Sequence, residues 1–213
     1  MKKWKKGEGT VQKKEVKAVL FDMDGVLVDS VDAWFHVFND TLSKFGREKL
    51  SRKNFENGFG SPIQRDMKVH FKGRTIDEVI KSYNQSFVKR KKLVKLFPHS
   101  LPVLREMKRK KIKTALITNS SRGIAFAILN HFKLRKYFNA VVTIQDVKNG
   151  KPAPDMPLLA CRKLKVSPRQ SIQVGDTQND MVAGKKAKCI TVGYKTKGDF
   201  TIRKMEEILE IIK

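Results

Sequence analysis

Acidic residues are scarce in this chain. Its 21 Asp and Glu stand against 46 Lys and Arg, a formal net charge of +25 over 213 residues. Such a surplus attracts polyanions and phosphorylated ligands over long range, and it also arises from a lysine-rich solvated surface. The lysines are spread along the sequence, as in Lys89-Arg90-Lys91-Lys92 and Lys108-Arg109-Lys110-Lys111. They are not gathered beside aromatic residues in a nucleic-acid motif. The solvated surface is therefore the preferred reading, and a nucleic-acid partner is kept open without being favoured. Cysteine is rarer still. Cys161 and Cys189 fall in separate expected elements without metal-ligand companions, so no zinc pattern and no thiol-nucleophile constellation is present. Both read as small core hydrophobes in a reducing, cytoplasmic compartment. No apolar run is long enough to cross a bilayer, and no membrane partner is expected. No apolar h-region follows Met1-Lys2-Lys3-Trp4-Lys5-Lys6, so a signal peptide is not expected either. There are no internal repeats.

What is present is an alternation of short apolar runs and longer amphipathic stretches, beginning at Val16. Residues 1–15, basic and poor in apolar side chains, read as a flexible arm with Trp4 as its only anchor. Lys17–Met23, Lys113–Thr118, Ala140–Gln145, Ser171–Gly175 and Cys189–Gly193 read as buried strands. Stretches near 99–111, 121–132, 155–165, 178–187 and 201–212 show helical spacing. Strands alternating with helices imply an α/β fold with a parallel sheet and helices on both faces. The segment 30–95 is the exception. It shows helix-like stretches at 31–45, 62–71 and 76–92 and no convincing strand. Phe35, Phe38, Leu42 and Phe45 form a helical stripe that reads as core packing. Residues 30–95 are accordingly expected to be an all-helical insertion, with 16–29 and 96–213 forming the α/β core. The break Lys95-Leu96-Phe97-Pro98 marks the return, because the residue before proline avoids helix.

The first apolar run ends on Asp22-Met23-Asp24-Gly25. In a strand, residues i and i+2 share a side, so Asp22 and Asp24 could share one small space. Two carboxylates 4 Å apart repel by roughly 4 kcal/mol at an effective dielectric near 20. A divalent cation between them, or a proton on one, makes that tolerable; a polar turn at a strand end is the plain alternative. In a parallel sheet, ligands bind beyond the carboxyl ends of the strands. There the second expected strand ends on Thr118-Asn119-Ser120, Lys151-Pro152-Ala153-Pro154-Asp155 follows the third, and the fourth ends on Gly175-Asp176 with Asp180 four residues on. Sequence-distant carboxylates with one lysine suit a hard, oxygen-liganded Mg²⁺ and a phosphoryl group.

With these residues the sequence resembles the haloacid dehalogenase superfamily. All four of its motifs occur in order: Asp22-x-Asp24-Gly25, Thr118-Asn119, Lys151-Pro152-x-Pro154 and Gly175-Asp176-x-x-x-Asp180. The resemblance runs from about Val16 to the end. It implies a Rossmann-like core, and the helical insertion is similar to the subclass I cap of phosphoglycolate phosphatases and β-phosphoglucomutases. It further implies a Mg²⁺-dependent phosphatase acting on a small phosphorylated metabolite. Asp22 would be the nucleophile forming an aspartyl-phosphate, and Asp24 the acid and base. Mg²⁺ would be held by Asp22, the Asp24 backbone carbonyl and Asp176, with Asp180 in support. Thr118 and the Asn119 backbone would bind phosphoryl oxygens, and Lys151 would offset the charge of nucleophile and phosphate. Phe59-Gly60-Ser61-Pro62 resembles the cap loop that faces the active site, with Arg65 nearby to grip a substrate carboxylate or second phosphate, or to remain a solvated helix charge.

Several residues have structural rivals. Thr177-Gln178-Asn179-Asp180 has the form of a helix capping box. Asp29 and Ser30 read as caps of the first insertion helix, Asp155 as a helix start, and His99 as a hinge or solvent-facing group. Dehalogenases of the superfamily lack the second aspartate of the first motif, so Asp24 points to phosphate chemistry. A mutase needs a cap histidine where this chain has Trp34, with His36 two residues on. A phosphonate hydrolase needs a cap lysine, which the lysine-rich insertion hides. A monomer is the default, with a homodimer as the alternative.

Overall fold

The computed structural model describes residues 16–212, so the arm expected over residues 1–15 lies outside the described residues. The chain enters through β1 (Ala18–Phe21) and reaches β2 (Val28–Asp29). It then leaves the sheet for four helices, α1 (Val31–Lys44), α2 (Arg52–Gly58), α3 (Ile63–Val69) and α4 (Ile76–Arg90). It returns through β3 (Lys95–Leu96), which pairs antiparallel with β2 as a two-stranded hinge. From there strands and helices alternate: α5 (Ser100–Arg109), β4 (Lys113–Thr118), α6 (Arg122–His131), β5 (Ala140–Thr143), α7 (Asp155–Leu164), β6 (Ser171–Gly175), α8 (Gln178–Lys186), β7 (Ile190–Tyr194), β8 (Phe200–Ile202) and α9 (Ile208–Ile211).

The main sheet has the order β5-β4-β1-β6-β7-β8 with every pair parallel. β1 lies inside it, and its four residues are fully buried. That is why it reads as a continuous apolar run without alternation. Register places the chemistry: Phe21 pairs with Leu116 on one side and Val174 on the other. The polar residues that follow β1, β4 and β6 therefore leave the sheet along the same edge.

In the insertion, Phe38 and Leu42 of α1 are buried, while Phe35 and Phe45 pack half-buried against the core. Phe38 meets Phe55, Phe71 and Tyr83 with ring centroids 5.5–6.1 Å apart. Thr41 and Ser82 share a buried hydrogen bond of 3.0 Å, and Asp40 accepts from Ser86 and Arg90 across α1 and α4.

Helices α5 to α8 all close in the same way. Lys111, Lys133, Lys165 and Lys188 take left-handed φ values of 55–64°. In each case the next residue's N–H donates five residues back, as Val166 does to Cys161 and Ile112 to Met107. This is the Schellman arrangement, which ordinarily favours glycine.

The structure corrects the sequence reading in three places. The helix expected over 201–212 is displaced by β8, an edge strand paired to β7, and α-helix remains only at Ile208–Ile211. Phe200, Thr201 and Ile202 suit a strand better than a helix start, because their branched or aromatic side chains fit a pleated surface. Helix α2 was not anticipated, since Phe55 is its only buried residue and no periodicity marks it. Ser30 does precede α1, but its side chain makes no cap hydrogen bond; it is turned into the site described below. Cys161 and Cys189 are free and buried. Among the described residues no helix is long and apolar enough to cross a membrane.

Candidate active site

Asp22 follows β1 directly and is almost wholly buried. Its Oδ1 lies 2.7 Å from Lys151 Nζ, and the same ammonium is 2.6 Å from Asp180 Oδ1. A third contact, to the Ile117 carbonyl at 3.2 Å, completes the donor capacity of the amine. Burial alone would lower the Lys151 pKa, but Asp180 and Asp22 outweigh it and hold the ammonium charged. Asp22 is pushed well above the usual carboxylate range by burial, and by Asp180, Asp176 and Asp24, against the opposing effect of Lys151.

Asp24 occupies a different environment. Its Oδ1 accepts from the Ser30 hydroxyl and from Trp34 Nε1 at 3.3 Å, and its Oδ2 from Ser120 Oγ at 3.0 Å. Burial raises its pKa while these three donors pull it down. The carboxylates i and i+2 thus sit in unlike surroundings, one against an ammonium and one against neutral donors. Directly after Asp24, Gly25 has φ +77°, and a Cβ there would lie 2.0 Å from Asp176 Oδ2. Only glycine allows the turn to pass so close to the neighbouring carboxylate.

Thr118 is buried, and its Oγ1 accepts from the Ser120 N–H at 3.0 Å. The Asn119 side chain brackets the Lys151 loop: its Oδ1 accepts from Lys151 N at 2.9 Å and its Nδ2 donates to Lys151 O at 3.1 Å. Asp180 closes a capping box with Thr177 at the start of α8 and reaches Lys151 with its other oxygen. Asp180 thus caps α8 and pairs with the Lys151 ammonium at the same time.

Asp22, Asp176 and Asp180 each present a carboxylate oxygen within 4.8 Å of the others. Asp176 Oδ1 is buried without a hydrogen-bond partner, and burial together with Asp180 pushes Asp176 up to about 7. An all-oxygen set with an orphaned acceptor fits a hard cation such as Mg²⁺. The Asp24 carboxylate is turned away toward Ser30, Trp34 and Ser120.

The cap sits directly over these groups. A cavity of about 430 Å³ is lined by Asp22, Asp24, Thr118, Asn119, Lys151 and Asp176 from the core, and by Trp34, Phe59, Gly60, Ser61 and Arg65 from the cap. Asn179 Nδ2 donates to the Gly60 carbonyl at 3.1 Å, and Ser121 Oγ to Asn84 Oδ1 at 2.5 Å, so cap and core touch on two sides. Arg65 lies at the rim, exposed and bonded to Ser61 Oγ. His99 bonds the Val26 carbonyl at 3.0 Å and stacks on Phe97 at the hinge. His36 is exposed and does not line the cavity.

A sequence profile of the haloacid dehalogenase-like hydrolases matches residues 19–194. The chain belongs to this family. Its helical insertion after the first strand is the subclass I cap of that superfamily. Among curated relatives, pyrophosphatase PpaX from Halalkalibacterium halodurans is 27% identical over 210 residues, which cover 93% of this chain and 97% of its own. Among solved structures, a predicted phosphoglycolate phosphatase from Haemophilus somnus 129pt has a TM-score of 0.76 at 24% identity, covering 93% of this chain and 99% of that one. A variant of CbbY from Rhodobacter sphaeroides, in complex with xylulose-(1,5)bisphosphate, has a TM-score of 0.82 at 22% identity, with coverage of 93% and 99%.

Sequence reasoning passed over three of the donors that shape this site in the hydrolase. In the sequence Ser120 is part of a polar strand end, Ser30 has the place of a helix cap, and Trp34 stands only as a replacement for a histidine. Nothing in the sequence links positions 30, 34 and 120 to one carboxylate.

Proposed function

We propose that this hydrolase cleaves a small phosphomonoester through an aspartyl-phosphate on Asp22. The observation that carries this reading is the placement of the two carboxylates. Asp22 lies against the Lys151 ammonium and within a set of carboxylates that fits a cation, while Asp24 lies against neutral hydroxyl and indole donors. Unlike surroundings let paired carboxylates take different roles. Asp22, oriented by Lys151, attacks phosphorus as the bond to the leaving oxygen breaks, and Asp24 gives that oxygen its proton. The Asp24 carboxylate, held by Ser30, Trp34 and Ser120, then takes a proton from water attacking the same phosphorus. The Asp22–phosphorus bond breaks and inorganic phosphate leaves. Thr118 Oγ1 and the backbone at Asn119 are available to phosphoryl oxygens, and Lys151 balances the charge of nucleophile and phosphate. Mg²⁺ would be held by Asp22, Asp176 and the Asp24 carbonyl, with Asp180 in support, and when bound it would neutralise charge on the phosphoryl oxygens.

A mutase needs a cap group that can take up and return a proton. Trp34 stands at that position, and an indole N–H only donates. Among the described residues no cap lysine lines the cavity, which leaves a Schiff-base route to phosphonates without its amine. A cavity of this size under a cap suits a metabolite and not a polynucleotide. The relatives named for pyrophosphate and phosphoglycolate agree with phosphate chemistry and differ on the leaving group. The test is hydrolysis of a generic aryl phosphate. Asp22→Asn should abolish turnover, and complete magnesium removal should do the same reversibly. Undiminished activity in either case refutes the mechanism.

A further inference from the structure

The cavity over Asp22 and Asp24 continues into the interior of the cap, and its volume lies within the range that holds small organic ligands. The wall there is apolar, built from Phe38, Phe55, Ile63 and Ile80. Of the polar groups that interrupt it, two matter here. Tyr83 on α4 exposes only 6% of its surface, and its hydroxyl has no hydrogen-bond partner. Asp66 on α3 lines the same space, close enough to Tyr83 to help hold the phenol protonated, and burial pushes its own carboxyl up to about 7 against the opposing Arg65. Buried polar groups in folded proteins are nearly always paired, and exceptions mark places where something else supplies the partner.

The charges around the cavity restrict what that partner is. Lys151 is already engaged by Asp22 and Asp180. Arg65 is at the rim with Ser61, and His70, beside it, is kept toward its neutral form by burial and then by Arg65. A carboxylate or second phosphate pushed inward past Arg65 would meet Asp66, while Arg65 itself stays at the rim. A ring or chain with a donor at its far end would bury apolar surface, give the Tyr83 hydroxyl a partner and meet the Asp66 carboxyl.

We infer that the cap interior receives the alcohol part of the substrate, and that this part is a largely apolar, ring-sized group ending in a hydroxyl or ammonium donor held by Asp66 and Tyr83. The inference rests on the phosphomonoester reading above and adds the identity of the leaving group. It sets this chain apart from enzymes whose leaving group is itself a small anion.

The experiment compares kcat/KM for ethyl phosphate, phosphoglycolate, 2-phenylethyl phosphate and 2-(4-aminomethylphenyl)ethyl phosphate. The phenylethyl ester should exceed ethyl phosphate by about tenfold or more, and the aminomethyl ester should gain about a further fivefold. Asp66→Leu should erase the aminomethyl advantage while keeping the ring preference, and Tyr83→Phe should reduce the aminomethyl ester selectively. These ratios do not depend on how much protein is folded. In parallel, binding of the free alcohol 2-(4-aminomethylphenyl)ethanol is followed by Trp34 fluorescence in a Trp4→Phe background. Equal or better turnover of ethyl phosphate or phosphoglycolate, with no alcohol binding, overturns the cap assignment and leaves the phosphatase reading intact. Saturable alcohol binding, lost in Asp66→Leu, with no ester hydrolysed at all overturns the phosphatase reading and supports the cap assignment. An aminomethyl advantage unchanged in Asp66→Leu overturns the role of Asp66.

Discussion

Asp66→Asn should make the protein more stable at neutral pH and should remove part of its pH dependence. The carboxyl is raised from the ordinary range to about 7, by burial first, with Arg65 acting in the opposite sense. A shift of about three units corresponds to an upper bound of about 4 kcal/mol, because each unit is worth 1.36 kcal/mol. Asp66 is only half-buried, so about 2 kcal/mol is the expected size after solvent screening. In the unfolded chain the carboxyl loses its proton near pH 4, and in the folded chain near 7. Between those values the native state binds more protons than the unfolded state, so stability falls as pH rises through that window and levels off above it. Asparagine has no such slope. His70, held below its ordinary value by burial and Arg65, titrates in both proteins and drops out of the difference, as do Asp22 and Asp176. Urea unfolding of the two proteins at half-unit steps from pH 4.5 to 8.5 gives that difference directly. It should be small at pH 4.5 and grow to about 2 kcal/mol by pH 8 in favour of the variant. Parallel curves, or a difference that shrinks as pH rises, would mean that Asp66 is not desolvated by the cap, and the account of the cavity fails with it.

Other perturbations bear on the site and on the scaffold. Trp34→Phe removes one of three donors to Asp24, so turnover should fall about fivefold, the size of one lost hydrogen bond. A pre-steady-state burst should then show phosphoenzyme accumulating, because the second step needs Asp24 as a carboxylate; a fall in kcat with no accumulation would contradict this. Gly175→Ala would place a Cβ 2.1 Å from Asp180 Cβ, and overpacking of that kind should cost about 1–3 kcal/mol in denaturant unfolding. Lys165→Gly relieves a left-handed side chain at an exposed helix end and should add up to about 1 kcal/mol, the strain being offset in part by the freer unfolded chain. Destabilisation by Lys165→Gly would show that its side chain makes a contact worth more than the strain.

Parts of this molecule were legible in its sequence for physical reasons. Strands buried on both faces are largely apolar, so β1, β4, β5, β6 and β7 stand out as short apolar-rich runs, even with the buried Gln173 inside β6. The polar residues that end three of them, with Lys151 after β5, are conspicuous because they follow those runs without a break. The hinge strands β2 and β3 have two residues each, too few for any period to register. β8 alternates over only three residues and merges with the helical pattern after it. Within the site, the three donors to Asp24 come from a loop, a cap helix and a strand end, and only folding brings them together. Asp66 reads in sequence as an ordinary charge on a helix. Whether a carboxyl on a short helix faces water or a cavity depends on how α3 packs against α4, and no spacing rule carries that information.

The lysines that close helices α5 to α8 have a practical consequence. Each of these helices leads into one of the strands β4 to β7, so in a parallel sheet all four helix ends lie at the edge where strands begin. The reaction groups stand where strands finish, across the full height of the sheet. The ammonium groups of Lys111, Lys133, Lys165 and Lys188 are exposed there, added to four carbonyl-rich helix ends that favour cations. A negatively charged resin or sensor surface that grips the protein by this base holds it from behind. The mouth between cap and core then faces the solution, and an immobilised preparation should retain access to its substrate.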